Sequence, residues 1–560
     1  MMKISKLLVS VTTISFAVAD ILITIPNGKL RGRKEYSQRG IYFYAFQQIP
    51  YAKPPVGELR FREPLPPNNW NGILDATFND KSCMQIDNTY NANISNYENE
   101  DCLYLNVYTP EFPSTNLSLP VMYYLYGGGF VKGAANFEYA GPHYLLESGV
   151  IVVTVNYRVG PFGFLTTGDK IIPGNYGLKD QQMGLKWVQK NIKYFGGDPE
   201  KVTIFGQSAG ASSVGFQMMS KGSKGLFRAA IAQSGSNINP WTYQRSYKTI
   251  AFKIGAALGK PLNEDTDSDK LLAFLRTIPA EQLNKVSIQM YLDYLLIDQL
   301  TNGIIFTPVI EPEHETAFIT ENMYEAIENG RMARVPLIIG MCSEEMLLIL
   351  LGGYFPTQIQ SYDNDIALFV SRNMHITDSN KLITLGQTIH NWYSKGRLED
   401  DKAGTLKYFS DAGFTRGLIR HAELQSKFSD VYFYEFSYSG QLGGNPGPFI
   451  DGIGKVTHGE DLAYIWAYYN MSGLNNYPKD DILTSDRYRT LFTNFAKYLN
   501  PTPEKTSLFQ NLMWPKVTPD NFQYLNIDTN LSIQKNPKGE IYQKWLKIYE
   551  ENAVKPLDTF

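Results

Sequence analysis

A serine between two glycines, directly after a strand-like segment, restricts the possible folds of this chain more than any other feature. The segment 201–205 (KVTIF) has the composition of a strand, and the pentapeptide 206–210 (GQSAG) follows it. In a sharp strand–turn–helix bend, the residues two before and two after the centre come so close that only glycine fits. Such a bend would present the Ser208 hydroxyl near backbone N–H groups that stabilise negative charge. Because chance also produces this short pattern, a functional interpretation needs a base, an acid and an oxyanion pocket elsewhere.

Length and composition are those of an ordinary globular protein. The 560 residues are 43% hydrophobic and 19% charged, and no linker, internal repeat or low-complexity tract divides them. We therefore expect one large domain over residues 20–560. The net charge of −3 disfavours a nucleic-acid partner, and no run of Lys and Arg indicates a membrane-surface patch.

The N-terminus has the pattern of a secretory signal peptide over residues 1–19. Lys3 and Lys6 precede an apolar stretch that ends in Ala17-Val18-Ala19, a typical cleavage site. A membrane anchor is the alternative, but the apolar run is short for a membrane span. The C-terminus is charged and has neither a GPI-type tail nor an ER-retention tetrapeptide. We expect a secreted, extracellular protein without a membrane anchor.

Sequons and cysteines fit an oxidising compartment. Some of the four N-glycosylation sequons are expected to be occupied; they begin at Asn93, Asn116, Asn470 and Asn530. Cys83 and Cys102 are close enough in sequence to close a short loop, which would stabilise the fold by roughly 3 kcal/mol. Cys342 follows an apolar run, which favours a buried, inert thiol over a reactive one.

Short apolar runs predict the fold class. They lack the alternation of half-buried strands, and helical patterns such as 178–195 lie between some of them. This combination predicts an α/β protein with a mostly parallel sheet covered on both faces, whose ligands bind beyond the carboxyl ends of the strands. The predicted strands are 121–126, 150–157, 201–205, 229–235, 335–340 and 431–438.

Three glycines follow the first of these strands and are candidates for an oxyanion hole. Gly127–Gly129 would let the backbone turn several N–H groups towards one point. In isolation a plain glycine turn is the better interpretation. Together with Ser208, the N–H groups of Gly128, Gly129 and Ala209 could form a three-donor pocket.

A serine nucleophile also needs a base and an acid. Of the six histidines, His458 lies in a glycine-rich loop that ends where a helix-like stretch begins, although a solvated loop histidine is the alternative. His421 lies in a helix-like stretch, which favours a structural role. Glu344 and Glu345 follow the strand 335–340, and one of them is expected to be only a surface or network charge. The order Ser208, Glu345, His458 is that of an α/β-hydrolase.

At this point the sequence resembles the type-B carboxylesterase/cholinesterase family, from about Asn27 to about residue 545. The resemblance implies an α/β-hydrolase fold with an active site in a gorge. It implies Ser208 as nucleophile, Glu345 as acid, His458 as base, and Gly128, Gly129 and Ala209 as the oxyanion hole. It also implies a Cys83–Cys102 disulfide and the structural ion pairs Arg60–Glu100 and Arg158–Asp180. The segments that carry it are 49–61 (IPYAKPPVGELRF), 100–110 (EDCLYLNVYTP), 153–165 (VTVNYRVGPFGFL), 174–192 (GNYGLKDQQMGLKWVQKNI) and 195–210 (FGGDPEKVTIFGQSAG).

The sequence also departs from the family pattern. Met346 follows the acid where many members have Gly, and Gln207 precedes the serine where many have Glu. A second cysteine bridge that is common in relatives is absent. GQSAG together with GKVTHGED (454–461) is similar to insect juvenile hormone esterases and related insect carboxylesterases.

The sequence indicates an apolar, uncharged ester as substrate. Cholinesterases bind a quaternary ammonium with a tryptophan between the first two cysteines, but no Trp lies between Cys83 and Cys102. After the acid come Leu347, Leu348 and Ile349, which favour an apolar acyl or alcohol group. We therefore predict a serine carboxylesterase that needs no metal or organic cofactor. The alternatives are a lipase, a juvenile-hormone-specific esterase and, in a different class, a catalytically silent adhesion protein of the same family.

Overall fold

The structure, a computed structural model, describes residues 21–86, 98–138, 140–294, 296–348, 355–444, 450–468 and 473–560. The predicted signal peptide and the sequons at Asn93 and Asn470 lie outside these residues. All statements below concern the described part of the chain.

Strands make up the centre of the molecule. Their bounds in chain order are β1 (Ile21–Ile25), β2 (Gly28–Tyr36), β3 (Tyr42–Pro50), β4 (Ile73–Asp75), β5 (Ser82–Cys83), β6 (Glu98–Asn99), β7 (Tyr104–Thr109), β8 (Leu119–Leu125), β9 (Ile151–Val155), β10 (Gly197–Gln207), β11 (Ala229–Gln233), β12 (Leu337–Cys342), β13 (Val431–Phe436), β14 (Gln523–Ile527) and β15 (Ser532–Lys535).

A large mixed sheet has a parallel centre and antiparallel edges. Its strand order is β1-β2-β3-β7-β9-β8-β10-β11-β12-β13-β14-β15, with β4 beside β2. All neighbours from β9 to β14 in this order are parallel. On one side β1, β2, β3 and β7 follow antiparallel to one another and to β9, and on the other side β15 is antiparallel to β14, while β4 is parallel to β2. All six predicted strands lie in the parallel centre, so the predicted mostly parallel sheet is confirmed.

The parallel strands read as continuous apolar runs because both faces of the sheet are covered. Successive residues of one strand point into different cores. Ile204 and Ile339 lie in one apolar cluster, while their chain neighbours Phe205 and Ile338 lie in the other. Since each face is buried, neither face needs polar side chains, and the alternation of a half-exposed strand is absent.

Helices cover the sheet. The longest is Lys479–Tyr498, and the helix Tyr176–Asn191 corresponds to the helical pattern expected at 178–195. The other α-helices are His143–Leu146, Gly160–Phe164, Ala209–Met219, Tyr247–Ala257, Ser268–Thr277, Ala280–Asp293, Leu296–Asn302, Met323–Glu328, Phe355–Asn364, Ser379–Tyr393, Lys402–Ser410, Arg416–Gln425 and Gly539–Asn552.

Covalent and ionic links hold the loops around the sheet. Cys83 and Cys102 form a disulfide with their Cα atoms 5.0 Å apart. The guanidinium of Arg158 donates two hydrogen bonds, of 2.8 and 2.7 Å, to the buried carboxylate of Asp180. Both links are among those that the family resemblance implies.

The Arg60–Glu100 pair ties two loops together. Arg60 Nε donates to Glu100 at 2.7 Å, and Arg60 Nη1 donates to the backbone oxygens of Leu275 and Ile278. Because these contacts engage all three nitrogens of the guanidinium at a point where three chain segments meet, Arg60 has a structural position rather than one in a substrate site.

Candidate active site

Ser208 lies at the junction of β10 and the helix Ala209–Met219. Its φ of 59° and ψ of −124° are unusual for a residue with a side chain. Such backbone strain persists only where the surroundings enforce it. The Ser208 N–H donates to the backbone oxygen of Gln233 in the neighbouring strand β11, at 2.8 Å. The bend therefore holds the serine side chain above the carboxyl edge of the parallel sheet.

Steric contacts explain the two glycines around Ser208. A Cβ on Gly210 would lie 2.0 Å from the backbone oxygen of Leu125, at the end of β8. A Cβ on Gly206 would lie 2.5 Å from the carbonyl carbon of Gly210. Side chains are thus excluded at both positions by backbone that cannot move away, as the sequence pattern predicts.

The glycine turn after β8 reaches the same point. A Cβ on Gly127 would lie 2.9 Å from the Cβ of Ser208. Gly128 and Gly129 have φ of +106° and +63°, a backbone conformation that side chains rarely adopt. Ala209 is the first residue of the helix, where backbone N–H groups have no partner in a preceding turn. The structure therefore brings all three predicted oxyanion-hole residues to the surroundings of Ser208.

The imidazole of His458 is held by Glu345. His458 Nδ1 lies 2.6 Å from Glu345 Oε2, and the His458 backbone N–H donates to the Glu345 backbone oxygen at 3.1 Å. The Glu345 side chain is fully buried, whereas 14% of the His458 side chain is exposed. The other carboxylate oxygen, Oε1, accepts the backbone N–H of Cys342 at 2.8 Å. These contacts fix both the carboxylate and the ring.

Glu344 has a different environment although it is adjacent in sequence. Its carboxylate accepts a hydrogen bond from the hydroxyl of Ser410, and its backbone N–H donates to the Val456 oxygen at 3.0 Å. Burial raises the pKa of Glu344, and Lys538 partly opposes that shift. Of the two glutamates that the sequence offered, Glu345 is the one in contact with His458, as expected, while Glu344 belongs to a buried network.

Gln207 occupies the other side of the His458 ring. Its Nε2 lies 3.1 Å from His458 Nε2. Among the described residues, no hydrogen bond joins the Ser208 hydroxyl to His458. Ser208 directly follows in the chain the residue whose side chain contacts His458. In the sequence, Gln207 stands out only as a departure from the family pattern, and this contact was not predicted.

Two more titratable groups, Asp461 and Cys342, lie close to Glu345. Burial raises the pKa of Asp461, which accepts hydrogen bonds from Tyr488 and Gln233. Burial also raises the pKa of the Cys342 thiol, and the neighbouring Asp461 and Glu345 add to the effect. Cys342 is the buried thiol that the sequence predicts. No group of three or more His, Cys, Asp or Glu side chains suited to a metal ion occurs within the described ranges.

Apolar side chains border the predicted site. The ring centres of Phe414 and His458 are 4.7 Å apart, and those of Trp241 and Phe414 are 5.6 Å apart. Ile304 lies against the glycine turn, with its Cδ1 3.3 Å from where a Cβ on Gly129 would be. These residues were not found from the sequence, because each comes from a separate helix or loop with no local motif.

The sequence model of the carboxylesterase family matches residues 19–545. The chain belongs to the carboxylesterase family. This membership, together with the esterases among the relatives, supports a carboxylic ester hydrolase and agrees with the resemblance noted in the sequence.

Individual relatives cover most of this carboxylesterase. It is 34% identical over 517 residues to a juvenile hormone esterase of Tribolium castaneum, with 88% of this chain and 85% of the relative aligned. Venom carboxylesterase-6 of Apis mellifera is 32% identical, with 99% and 100% covered. The crystal structure of juvenile hormone esterase from Manduca sexta, with OTFP covalently attached, matches with a TM-score of 0.83 and 28% identity over 95% of this chain and all of that one. The α/β-hydrolase fold is thereby confirmed.

The predictions for the surface of the carboxylesterase can be placed on the structure in part. Asn116 lies in a turn and Asn530 in a bend. Both side chains are exposed and therefore accessible to glycosylation. Their occupancy stays a prediction. None of the described helices is long and apolar enough to cross a membrane.

His421 is fully buried in the helix Arg416–Gln425, in the structural position that the sequence favoured. Its Nδ1 lies 2.7 Å from the hydroxyl of Ser236, which follows β11. Burial lowers the pKa of His421 from the ordinary 6.5 to about 4. The folded carboxylesterase therefore binds a proton here much more weakly than its unfolded chain does.

This difference predicts a loss of stability in acid that depends on His421. Between pH 6.5 and 4 the unfolded chain is protonated at this position while the folded one is not, so stability present at neutral pH falls by about 3 kcal/mol over that range. The variant His421→Gln should lose less stability than the wild type when the pH is lowered from 7 to 5. Thermal unfolding midpoints at both pH values measure the effect, and equal losses in the two proteins would contradict it.

Proposed function

We propose that the protein is a secreted serine carboxylesterase that hydrolyses apolar, uncharged esters through an acyl-serine intermediate. The observation that carries this proposal is the 2.6 Å contact between Glu345 and His458, placed beside a serine in a strained bend. A carboxylate that holds Nδ1–H leaves Nε2 of the imidazole as the basic nitrogen.

The first step forms the acyl-enzyme. Ser208 Oγ attacks the carbonyl carbon of the ester, and its proton passes to His458 Nε2. The buried Glu345 carboxylate stabilises the imidazolium that results. The carbonyl oxygen becomes an alkoxide, which the backbone N–H groups of Gly128, Gly129 and Ala209 stabilise. When the ester C–O bond breaks, the imidazolium returns its proton to the leaving alcohol.

The second step releases the acid. Water attacks the acyl carbon, and His458 Nε2 takes a proton from this water. The tetrahedral intermediate forms again, with its oxyanion at the same three N–H groups. The bond to Ser208 Oγ then breaks, and the imidazolium returns the proton to the serine. No redox step is involved, and each proton that leaves is returned.

The surroundings of the site support an apolar ester. Phe414, Trp241 and Ile304 place aromatic and aliphatic surface next to His458 and the glycine turn. A neutral apolar group gains from leaving water at such a surface. Secretion rests on the signal-like pattern of residues 1–19, and the absence of a cholinesterase-type tryptophan between Cys83 and Cys102 supports a substrate other than acetylcholine.

A juvenile-hormone-specific esterase is the second candidate. It is favoured by the juvenile hormone esterases among the relatives and by the structural match to the Manduca sexta enzyme. We expect the broader carboxylesterase to hydrolyse short p-nitrophenyl esters faster than long-chain acylglycerols. A panel of these esters and a terpenoid methyl ester, compared by kcat/KM, tests this expectation. If the terpenoid ester is hydrolysed at least about a hundredfold better than the others, the specific esterase is the correct assignment.

Replacement of the nucleophile tests the mechanism. Ser208→Ala should lower kcat by roughly 10⁴-fold or more, because without the hydroxyl no acyl-enzyme forms. An organophosphate should label the wild type at Ser208, as mass spectrometry of the digested protein would show, and should leave the variant unlabelled. As a control, Ser426→Ala removes a half-buried hydroxyl that donates to the Glu423 backbone oxygen, and it should keep full activity.

The same experiment separates the enzyme from a binding protein. A catalytically silent adhesion protein would neither be labelled nor turn over any ester of the panel. Full activity of Ser208→Ala would instead show that a different residue is the nucleophile.

A further inference from the structure

The side chain of Gln207 is in contact with the nitrogen of His458 that the proposed mechanism uses as a base. Gln207 Nε2 lies 3.1 Å from His458 Nε2, although the two residues are 251 positions apart in the chain. Gln207 is the last residue of β10, and only 5% of it is exposed. The contact is thus built from two distant segments at the centre of the site.

The opposite side of the ring decides which way this hydrogen bond runs. Glu345 Oε2 can only accept from His458 Nδ1 at 2.6 Å, so Nδ1 carries the proton of the neutral imidazole. Nε2 then has a lone pair and no proton. Gln207 must therefore present its NH₂ group, which donates to His458 Nε2.

Two glycines give the amide a fixed place. A Cβ on Gly127 would lie 2.7 Å from Gln207 Oε1, and a Cβ on Gly459 would lie 3.3 Å from Gln207 Nε2. Gly459 has a φ of +79° and directly follows His458. A side chain at either position would crowd the amide. The absence of side chains at Gly127 and Gly459 therefore leaves space for the Gln207 amide beside His458.

The charged and titratable groups around His458 lie on the other sides of the ring. Glu345 faces it from the turn after β12, and Asp461 acts on it from the short helical segment Glu460–Tyr464. Cys342 lies behind both carboxylates. Phe414 packs on the ring without any charge. From β10, Gln207 adds a neutral donor, whereas a carboxylate at this position would be a third acidic group beside the ring.

We propose that Gln207 is a positioning residue that holds Nε2 of the resting base and gives it up to the Ser208 hydroxyl when an ester binds. This inference rests on the proposed function of the site. A donor aimed at the Nε2 lone pair favours the neutral imidazole, because the imidazolium has a proton there and would face that donor. Gln207 thereby keeps the base unprotonated, and the esterase active, to lower pH than the two neighbouring carboxylates alone would allow.

The test is the pH dependence of kcat/KM for two Gln207 variants. Only the neutral base is active, so kcat/KM falls on acidification. Gln207→Met keeps the length of the side chain but removes the donor, and it should move the midpoint of this fall up by about half a unit to one unit. Gln207→Glu places a carboxylate at Nε2, which stabilises the imidazolium, and should move the midpoint up further.

A merely structural role for Gln207 predicts a different result. Loss of packing would lower activity by one factor at every pH and leave the midpoint in place. Gln387→Glu, which introduces the same change on an exposed helix face, is the matched control and should not move the midpoint. Rates are referred to the number of sites that an organophosphate titrates, so a partly unfolded preparation does not distort the midpoint.

Midpoints of both Gln207 variants that coincide with the wild type would overturn the inference. That outcome leaves the proposed function intact as long as Ser208 is labelled and Ser208→Ala is inactive. If Ser208 is not labelled, the proposed function itself fails. The two failures are therefore distinguishable in one set of proteins.

Discussion

The hydrogen bond between Glu345 and His458 is the interaction on which the account of this site depends. It joins the turn after β12 to a loop more than a hundred residues further along the chain. By accepting Nδ1–H, the carboxylate sets the tautomer and the orientation of the ring. The direction of the Gln207 contact, the choice of Nε2 as the basic nitrogen and the roles proposed for these residues all follow from that one proton position.

The sheet supplies the geometry that this hydrogen bond requires. β8, β10 and β12 are parallel members of one sheet, with β11 between β10 and β12. Their carboxyl ends carry the glycine turn, Ser208 and Glu345, respectively, so three functional segments meet at one edge. The strained backbone of Ser208 is held there by the N–H bond to Gln233 and by close contacts of Gly206 and Gly210. The ends of hydrogen-bonded strands therefore position the glycine turn, Ser208 and Glu345, while His458 comes from a loop.

The parts of the fold predictable from sequence were those with local causes. The parallel strands are apolar on both faces. The bend itself leaves no space for a side chain at positions 206 and 210, so both must be glycine. The edge strand β2 was not predicted, because one of its faces is partly exposed and its charged sequence has no apolar run. The contacts of Gln207 and Phe414 with His458 were also missed, since they join segments far apart in the chain and leave no local pattern. The family resemblance supplied the choice of Glu345, which the structure shows in contact with His458 while Glu344 is in contact with Ser410.

The most direct test of this account compares Glu345→Gln with Glu344→Gln. The measured quantity is the rate constant at which an organophosphate labels Ser208 at neutral pH. We expect this rate constant to fall by at least about 10²-fold in Glu345→Gln, because the amide no longer fixes the tautomer of His458. In Glu344→Gln we expect it to change by no more than about threefold. Equal rates in Glu345→Gln and the wild type, or the larger loss in Glu344→Gln, would contradict the claim that Glu345 orients the base for Ser208.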